Sequence, residues 1–117
     1  MERLELALLV NPSKRLEFKQ TLYDLSEKFQ KHCTSLKITE SDNFLSYSIL
    51  AQWETAADMQ EAFKTDEFAI LSGAITALCE KVQIRLNDKL IGNHRAKSTR
   101  ANISHDSYII NIFSRSA

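Results

Sequence analysis

Apolar residues in this chain change their spacing in a set order, and that order narrows the fold more than any other feature. Leu4, Leu6, Leu8 and Val10 recur every second residue, as in a strand with a buried face. Phe18, Leu22, Leu25 and Phe29 then fall at i, i+4, i+7 and i+11, which is one face of a helix. Alternation returns in Leu36 and Ile38, and again in Leu45, Tyr47, Ile49, Ala51 and Trp53. Met59, Ala62 and Phe63 take up helical spacing, carried onward by Phe68, Leu71, Ala74 or Ile75, and Leu78. Val82, Ile84 and Leu86 close with a further strand. The resulting order, β-α-β-β-α-β, is the split-βαβ or ferredoxin-like arrangement. It implies an α+β domain, with a four-stranded antiparallel sheet and two helices on one face.

The punctuation agrees with the periods. Asn11-Pro12-Ser13 ends the first strand, and Asn or Ser can cap the helix placed at about Lys14–Lys31. Pro12 is tolerated in a first turn, where its missing N–H is not needed. Ser41-Asp42-Asn43 is turn chemistry, so the flanking strands, the second running Phe44–Trp53, read as an antiparallel hairpin. Thr55 is a plausible N-cap, with Asp58 where the helix dipole favours negative charge. Thr65 or Asp66 supplies a second cap, so the second helical region is broken or kinked near Lys64–Asp66. Gly and Pro number three together, which leaves little room for long loops.

The 117 residues suit one domain with a hydrophobic core at 1–88, followed by a polar arm at 89–117 that ends in the β-prone stretch Ser107–Phe113. Fifteen basic residues balance fifteen acidic ones, so no global field draws nucleic acid or an acidic membrane. The segment Asp88–Ala117 is net +3 and the body net −3. No apolar run reaches the roughly 18–20 residues of a transmembrane helix. The N-terminal MERLELALLVNP is too short and charged for a secretory signal. Cys33 and Cys79 lack metal-ligand spacing, so reduced thiols in the cytoplasm are the simple expectation.

Few residues carry chemistry on their own. Trp53, the sole tryptophan, is either the wall of a pocket or a large piece of core. Tyr47 shares its face, and its hydroxyl could orient a phenol or quinone; a satisfied core tyrosine is the plainer reading. Tyr23 lies off the main stripe of the first helix and could rim the same pocket. His32-Cys33 is the one adjacent pair with reactive potential, but a thiolate needs an electropositive setting. Cys79 reads as small core. His94 and His105 with Asp106 make at most a weak metal cluster. Arg85 and Gln83 share a face of the last strand, where Arg85 suits an anionic group or a partner's acid. The basic stretch from His94 to Arg100 lacks interleaved aromatics and reads as a solvated linker. There is no Gly-rich phosphate loop and no G-x-S-x-G.

The strand ending in Trp53 runs into W-E-T-x-x-x-M-x-x-A-F-K-T-D-E-F, Trp53 to Phe68, and then an amphipathic helix. With the corner VNPSKRLEFKQTL, this resembles the antibiotic biosynthesis monooxygenase superfamily over about Leu4–Leu86. The resemblance implies a homodimeric α/β barrel, two sheets face to face with helices outside and a pocket between each sheet and its helices. It implies oxidation of an aromatic or quinone-type small molecule by O₂ with no added cofactor. The substrate-binding positions it suggests are Trp53, Tyr47, Tyr23, Ile49 and Met59, with no metal site. Ile49 stands where aromatic-oxidising members carry Asn, Met59 where they carry Tyr, and the region of Gly73 where they carry Arg. Ser72 is near the place of the iron-ligating His of haem-degrading members, and Glu5 or Ala7 near that of their strand Asn. The alternative is a non-catalytic binding or interaction module on the same fold.

Overall fold

A computed structural model of the protein describes residues 1–94 apart from positions 42 and 44. The first strand, β1 (Glu2–Val10), lies at the centre of the sheet. Asn11 closes it: the side-chain oxygen accepts from the Ser13 N–H at 3.0 Å, capping a single 3₁₀ turn at Pro12–Lys14. Helix α1 (Arg15–Phe29) follows, and Phe18, Leu22, Leu25 and Phe29 are its buried residues. That is the stripe its sequence spacing predicts. A second 3₁₀ turn, Gln30–His32, leads to β2 (Ser35–Glu40).

The link to β3 (Ser46–Trp53) is held by short polar side chains. Asn43 Oδ1 accepts from the Leu45 N–H at 3.1 Å, and Ser41 Oγ accepts from the Ser46 N–H at 3.1 Å. The strand begins at Ser46, two residues later than its apolar pattern suggests, and Phe44 lies outside the described residues.

The second helical region is divided, as its capping residues require. Helix α2 (Ala56–Phe63) starts at Thr55, whose hydroxyl accepts from the Asp58 N–H at 3.0 Å. Helix α3 (Asp66–Leu78) starts at Thr65, whose hydroxyl accepts from the Phe68 N–H at 3.2 Å. Helix α3 then passes directly into β4 (Cys79–Leu86), so Cys79 is the first residue of a strand.

Among the described residues the sheet has five strands, all antiparallel, in the order β2-β3-β1-β4-β5. The first four keep the ferredoxin-like order. The fifth, β5 (Lys89–His94), occupies the start of the stretch expected as a polar arm. Its turn is Asn87-Asp88, with φ of 52° and 70°. Two successive left-handed residues are what a tight two-residue hairpin requires, and Asn and Asp tolerate that backbone best after Gly. The turn is tied to β1: the Asn87 N–H donates to Arg3 O at 2.8 Å, the Arg3 N–H donates to Asn87 Oδ1 at 2.8 Å, and Arg3 pairs with Asp88. The β-prone stretch Ser107–Phe113, the basic stretch after His94, and His105 lie outside the described residues.

The helices cover one face of the sheet. Leu4, Leu6, Leu8, Val10, Tyr47, Ile49, Ala51, Trp53, Val82 and Ile84 are buried there. Each large apolar side chain so buried contributes roughly 1.5–3 kcal/mol. Glu5, Ala7, Leu9, Ser48, Leu50, Gln52, Gln83 and Arg85 stand on the opposite face, all at least partly exposed.

Candidate functional site

Trp53 and Tyr47 share the inner face of β3 but sit six residues apart. At about 3.3 Å per residue that is roughly 20 Å, too far for both to hold one aromatic ring. The five suggested positions therefore fall into separate groups.

At one end, Trp53 is 1% exposed and its indole N–H donates to His32 O at 2.8 Å. Phe63 meets it edge-on at 5.7 Å between ring centroids, and Phe29 does so at 6.5 Å. Phe68 completes the group, 4.8 Å from Phe63 and 5.9 Å from Phe29. These are favourable edge and tilted pairings among the protein's own rings. Met59 is buried on α2, one turn past the cap. Outside this cluster, a surface cleft of about 490 Å³ is lined by Lys31, His32, Cys33, Thr34, Trp53, Asp58, Glu61, Ala62 and Thr65.

The His32-Cys33 pair does not form a nucleophile and base. His32 turns to Glu67 on α3, Nε2 to Oε1 at 3.4 Å. Cys33 donates its thiol hydrogen to Phe29 O at 3.5 Å, and burial pushes its pKa up to about 11. Cys79 is buried and is pushed up to about 12 for the same reason. Both settings disfavour the thiolate. No group of three or more metal-ligating side chains occurs among the described residues.

Ile49, in the middle of β3, lines a narrow space between α1, α3 and the sheet, together with Leu22, Leu25, Phe29, Leu36, Ile38 and Leu71. Its free volume is about 10 Å³, room for one water and not for a ring.

Beyond Ile49 the same layer becomes polar. Tyr47 is 3% exposed, and its ring meets Phe18 edge-on at 5.2 Å. It lies opposite Glu40 in the β2–β3 register. Glu40 points inward because it continues the alternation Leu36, Ile38, Glu40. Lys19 Nζ stands 3.9 Å from Glu40 Oε1. Tyr47 Oη and Glu40 Oε2 are both buried and neither makes a well-formed hydrogen bond, although the Glu40 carboxylate lies within reach of the hydroxyls of Tyr47 and Tyr23. Burial first, and the Glu40 carboxylate second, push the Tyr47 pKa up to about 12. Tyr23, partly exposed on α1, has its pKa raised by the same two causes. So the structure brings Tyr47 and Tyr23 together around one carboxylate. Glu40 was missed from the sequence, yet its signal was there: an ionisable residue on the buried phase of a strand.

Ser72, at the place of the haem-ligating histidine, is a buried serine whose hydroxyl has no partner among the described residues. Its oxygen is not the imidazole nitrogen that a ferrous or ferric haem takes. Arg85 is exposed on the outer face, opposite Glu5 in the β1–β4 register. No helix among the described residues is long and apolar enough to cross a membrane.

A ferredoxin-like sheet with its helices on one face and a polar-ended layer between them defines the class of fold. Solved structures carry it further. The chain superposes on an antibiotic biosynthesis monooxygenase with a TM-score of 0.67 and 16% identity, over 75% of this chain and 97% of the other. A Nitrosomonas europaea protein provisionally named for the same activity gives 0.67 and 14%, over 74% and 95%. A conserved protein of Methanosarcina mazei gives 0.66 and 20%, over 75% and 91%. No family model and no curated protein matches the sequence. The chain has the fold of the antibiotic biosynthesis monooxygenases.

Proposed function

We propose that this chain is a cytoplasmic, homodimeric oxygenase of the antibiotic biosynthesis monooxygenase type, acting on an aromatic or quinone-type small molecule without an added cofactor. The observation that carries the reading is the Tyr47 hydroxyl, buried at the end of the apolar layer against the Glu40 carboxylate with no well-formed hydrogen bond. A buried polar group whose hydrogen bond is poorly formed lowers stability, and in native proteins such groups call for an occupant or a role. An apolar space ending in a few polar groups is also how small-molecule sites are built. In this reading the substrate lies along Ile49 with a polar atom on Tyr47, and Tyr23 stands at the mouth. The chemistry is loss of a proton from an activated methylene, attack of the carbanion on O₂, and collapse of the peroxide to a carbonyl and water. The protein supplies orientation and a dry, fixed polar environment. The outer sheet face, with Ala7, Leu9 and Leu50 among polar residues, is assigned to the second subunit.

Oxygen uptake with a hydroxy-anthrone and a naphthoquinol tests the activity. We expect saturable uptake that falls at least tenfold in Tyr47→Phe. Uptake no faster than without protein would remove the oxygenase reading. A monomeric mass in solution at micromolar concentration would remove the dimer.

A second reading has its own observation. The ring cluster Phe29, Phe63 and Phe68 already fills the space beside Trp53, and the gap at Ile49 is about 10 Å³. A module that kept the fold and filled its pocket would look the same there. Saturable quenching of Trp53 fluorescence by the ligands above favours the oxygenase; linear quenching across all of them favours the module.

A further inference from the structure

We propose, independently of any activity, that the free edge of β2 is a docking site for a segment of the same chain. The segment is 107–113 (SYIINIF), which lies outside the described residues. It adds to β2 as a further antiparallel strand and covers the half-buried side of the core there.

The sheet ends in two edges, and they differ. Among the described residues β2 pairs only with β3, in unbroken register from Ser35↔Gln52 to Glu40↔Tyr47, and it carries no proline. β5 pairs with β4 through a register shift at Ile84/Arg85 and carries Gly92. An interrupted edge resists further pairing, and a regular one invites it. The core is also thinner at β2. Tyr47 and Ile49 on β3 are buried, as are Val82 and Ile84 on β4. Leu36 and Ile38 on β2 are only half-buried, and they line the apolar gap under α1. A strand beside β2 with an apolar inner face would cover them. Residues 107–113 have that pattern: Tyr108, Ile110 and Ile112 alternate, with Ser107, Ile109, Asn111 and Phe113 in the other phase.

Register and reach favour this edge. His94 pairs with Val82, Val82 with Leu8, Leu8 with Tyr47 and Tyr47 with Glu40. The end of β5 and the end of β2 therefore stand in one row across the sheet. The far side of β2 is five strand spacings from His94, roughly 24 Å at about 4.8 Å each. The twelve residues 95–106 span up to about 40 Å when extended, enough to round the end of the helix layer. β2 runs towards this row, so a segment that starts from it runs back antiparallel. Tyr108 then falls opposite Glu40, Ile110 opposite Ile38 and Ile112 opposite Leu36, which lays the apolar phase along the inner face of β2. Asn111 meets Lys37 on the outer face. The tether holds the segment at an effective concentration near the millimolar range, far above that of a second copy in micromolar solution.

Cross-linking tests the pairing and its source together. In the full chain, Lys37→Cys with Asn111→Cys sets two thiols at opposed positions, and Lys37→Cys with Ser116→Cys is the off-register control. Mild oxidation at micromolar protein should give a 37–111 disulfide within one chain, about tenfold or more in excess of the control, read by peptide mapping. The same disulfide between two chains would overturn the assignment to the same chain. No excess over the control would overturn the pairing. Amide hydrogen exchange gives a second readout without new thiols. The β2 N–H groups that point away from β3 should exchange about tenfold or more slower in the parent than in Ile110→Pro, which lacks a donor in the added strand. The β5 amides should exchange equally in both. Equal exchange at β2, or a difference confined to β5, would overturn the proposal. If Ile110→Pro fails to fold, the cross-link carries the test.

Discussion

The two ends of the layer between helices and sheet are built on opposite terms. At the Trp53 end, large rings meet one another edge-on and the indole N–H has a carbonyl partner at 2.8 Å. Thr65 likewise both donates to Ala62 O at 2.7 Å and accepts from the Phe68 N–H at 3.2 Å. At the Tyr47 end, a buried phenol faces a part-exposed carboxylate, and neither makes a well-formed hydrogen bond. A satisfied aromatic cluster is a device for packing. Leftover polar atoms in a low-dielectric layer lower stability, and sites that bind or react are where such atoms concentrate. The tryptophan that draws the eye in the sequence is packed as structure; the quieter tyrosine is the one the proposed chemistry uses.

The largest expected effect tests the structural end. Trp53→Ala removes a side chain 1% exposed and leaves Phe29 and Phe63 facing a cavity, with His32 O unpaired. The loss should be about 3–5 kcal/mol, as for other buried Trp or Phe truncations. Urea unfolding followed by far-UV circular dichroism measures it, since the variant has no tryptophan to report. A loss below about 1 kcal/mol would mean the cluster yields readily, and the contrast between the ends would break down.

Much of this architecture was legible in the sequence because it follows from periods. The stripe Phe18, Leu22, Leu25, Phe29 and the alternation in β1, β3 and β4 place the core directly. The caps Thr55 and Thr65 divide α2 from α3 because a side-chain oxygen there satisfies a free N–H. β5 was not legible in the same way. Leu90 and Ile91 do not alternate cleanly, and the hairpin signal Asn87-Asp88 falls at the boundary drawn between the domain at 1–88 and the arm at 89–117. The site was partly legible. Tyr47 and Tyr23 could be named, but joining them needs the β2–β3 register, which sets Glu40 beside Tyr47. Grouping Trp53 with Tyr47 ignored strand rise: a shared face is not a shared place.

Alkaline pH gives the next effect in size, and it probes both ends at once. The folded pKa of Tyr47 is raised to about 12 from 10.0, and that of Cys79 to about 12 from 9.0. Cys33 rises to about 11 from 9.0. In each case the folded state favours the neutral, protonated form. The unfolded chain loses protons first, so stability is full below the unfolded values and falls as pH rises through about 9 to 12. The loss from Tyr47 alone should be on the order of 2 kcal/mol by the top of that range. Urea midpoints measured at about pH 8, 10 and 11 give the slope. Tyr47→Phe should flatten its upper part and leave the thiol part near pH 9 to 10. An unchanged slope in that variant would mean Tyr47 is not held in a low-dielectric site.

A smaller effect sharpens the structural end. Thr65→Ala removes the cap of α3 just before the Phe68 ring. The cost should be about 1 kcal/mol in urea unfolding, the usual value for a lost Thr cap. It should leave ligand binding at the Tyr47 end unchanged. A tenfold loss of naphthoquinol affinity in this variant would show the two ends to be coupled through α3.

The smallest expected change in stability is at Tyr47 itself, and it is the most telling. Tyr47→Phe keeps the ring against Phe18 and deletes only the hydroxyl that faces Glu40. Removing a buried group whose hydrogen bond to Glu40 is poorly formed relieves its desolvation cost at little loss, so below pH 9 the variant should stay within about 1 kcal/mol of the parent. Its ligand binding and oxygen uptake should fall in the same experiment. Stability held or gained while function is lost is the pattern of a group kept for its chemistry. If urea unfolding instead shows a loss above about 1 kcal/mol, the hydroxyl is satisfied in solution, Tyr47 belongs with Trp53 as packing, and the layer has one kind of end.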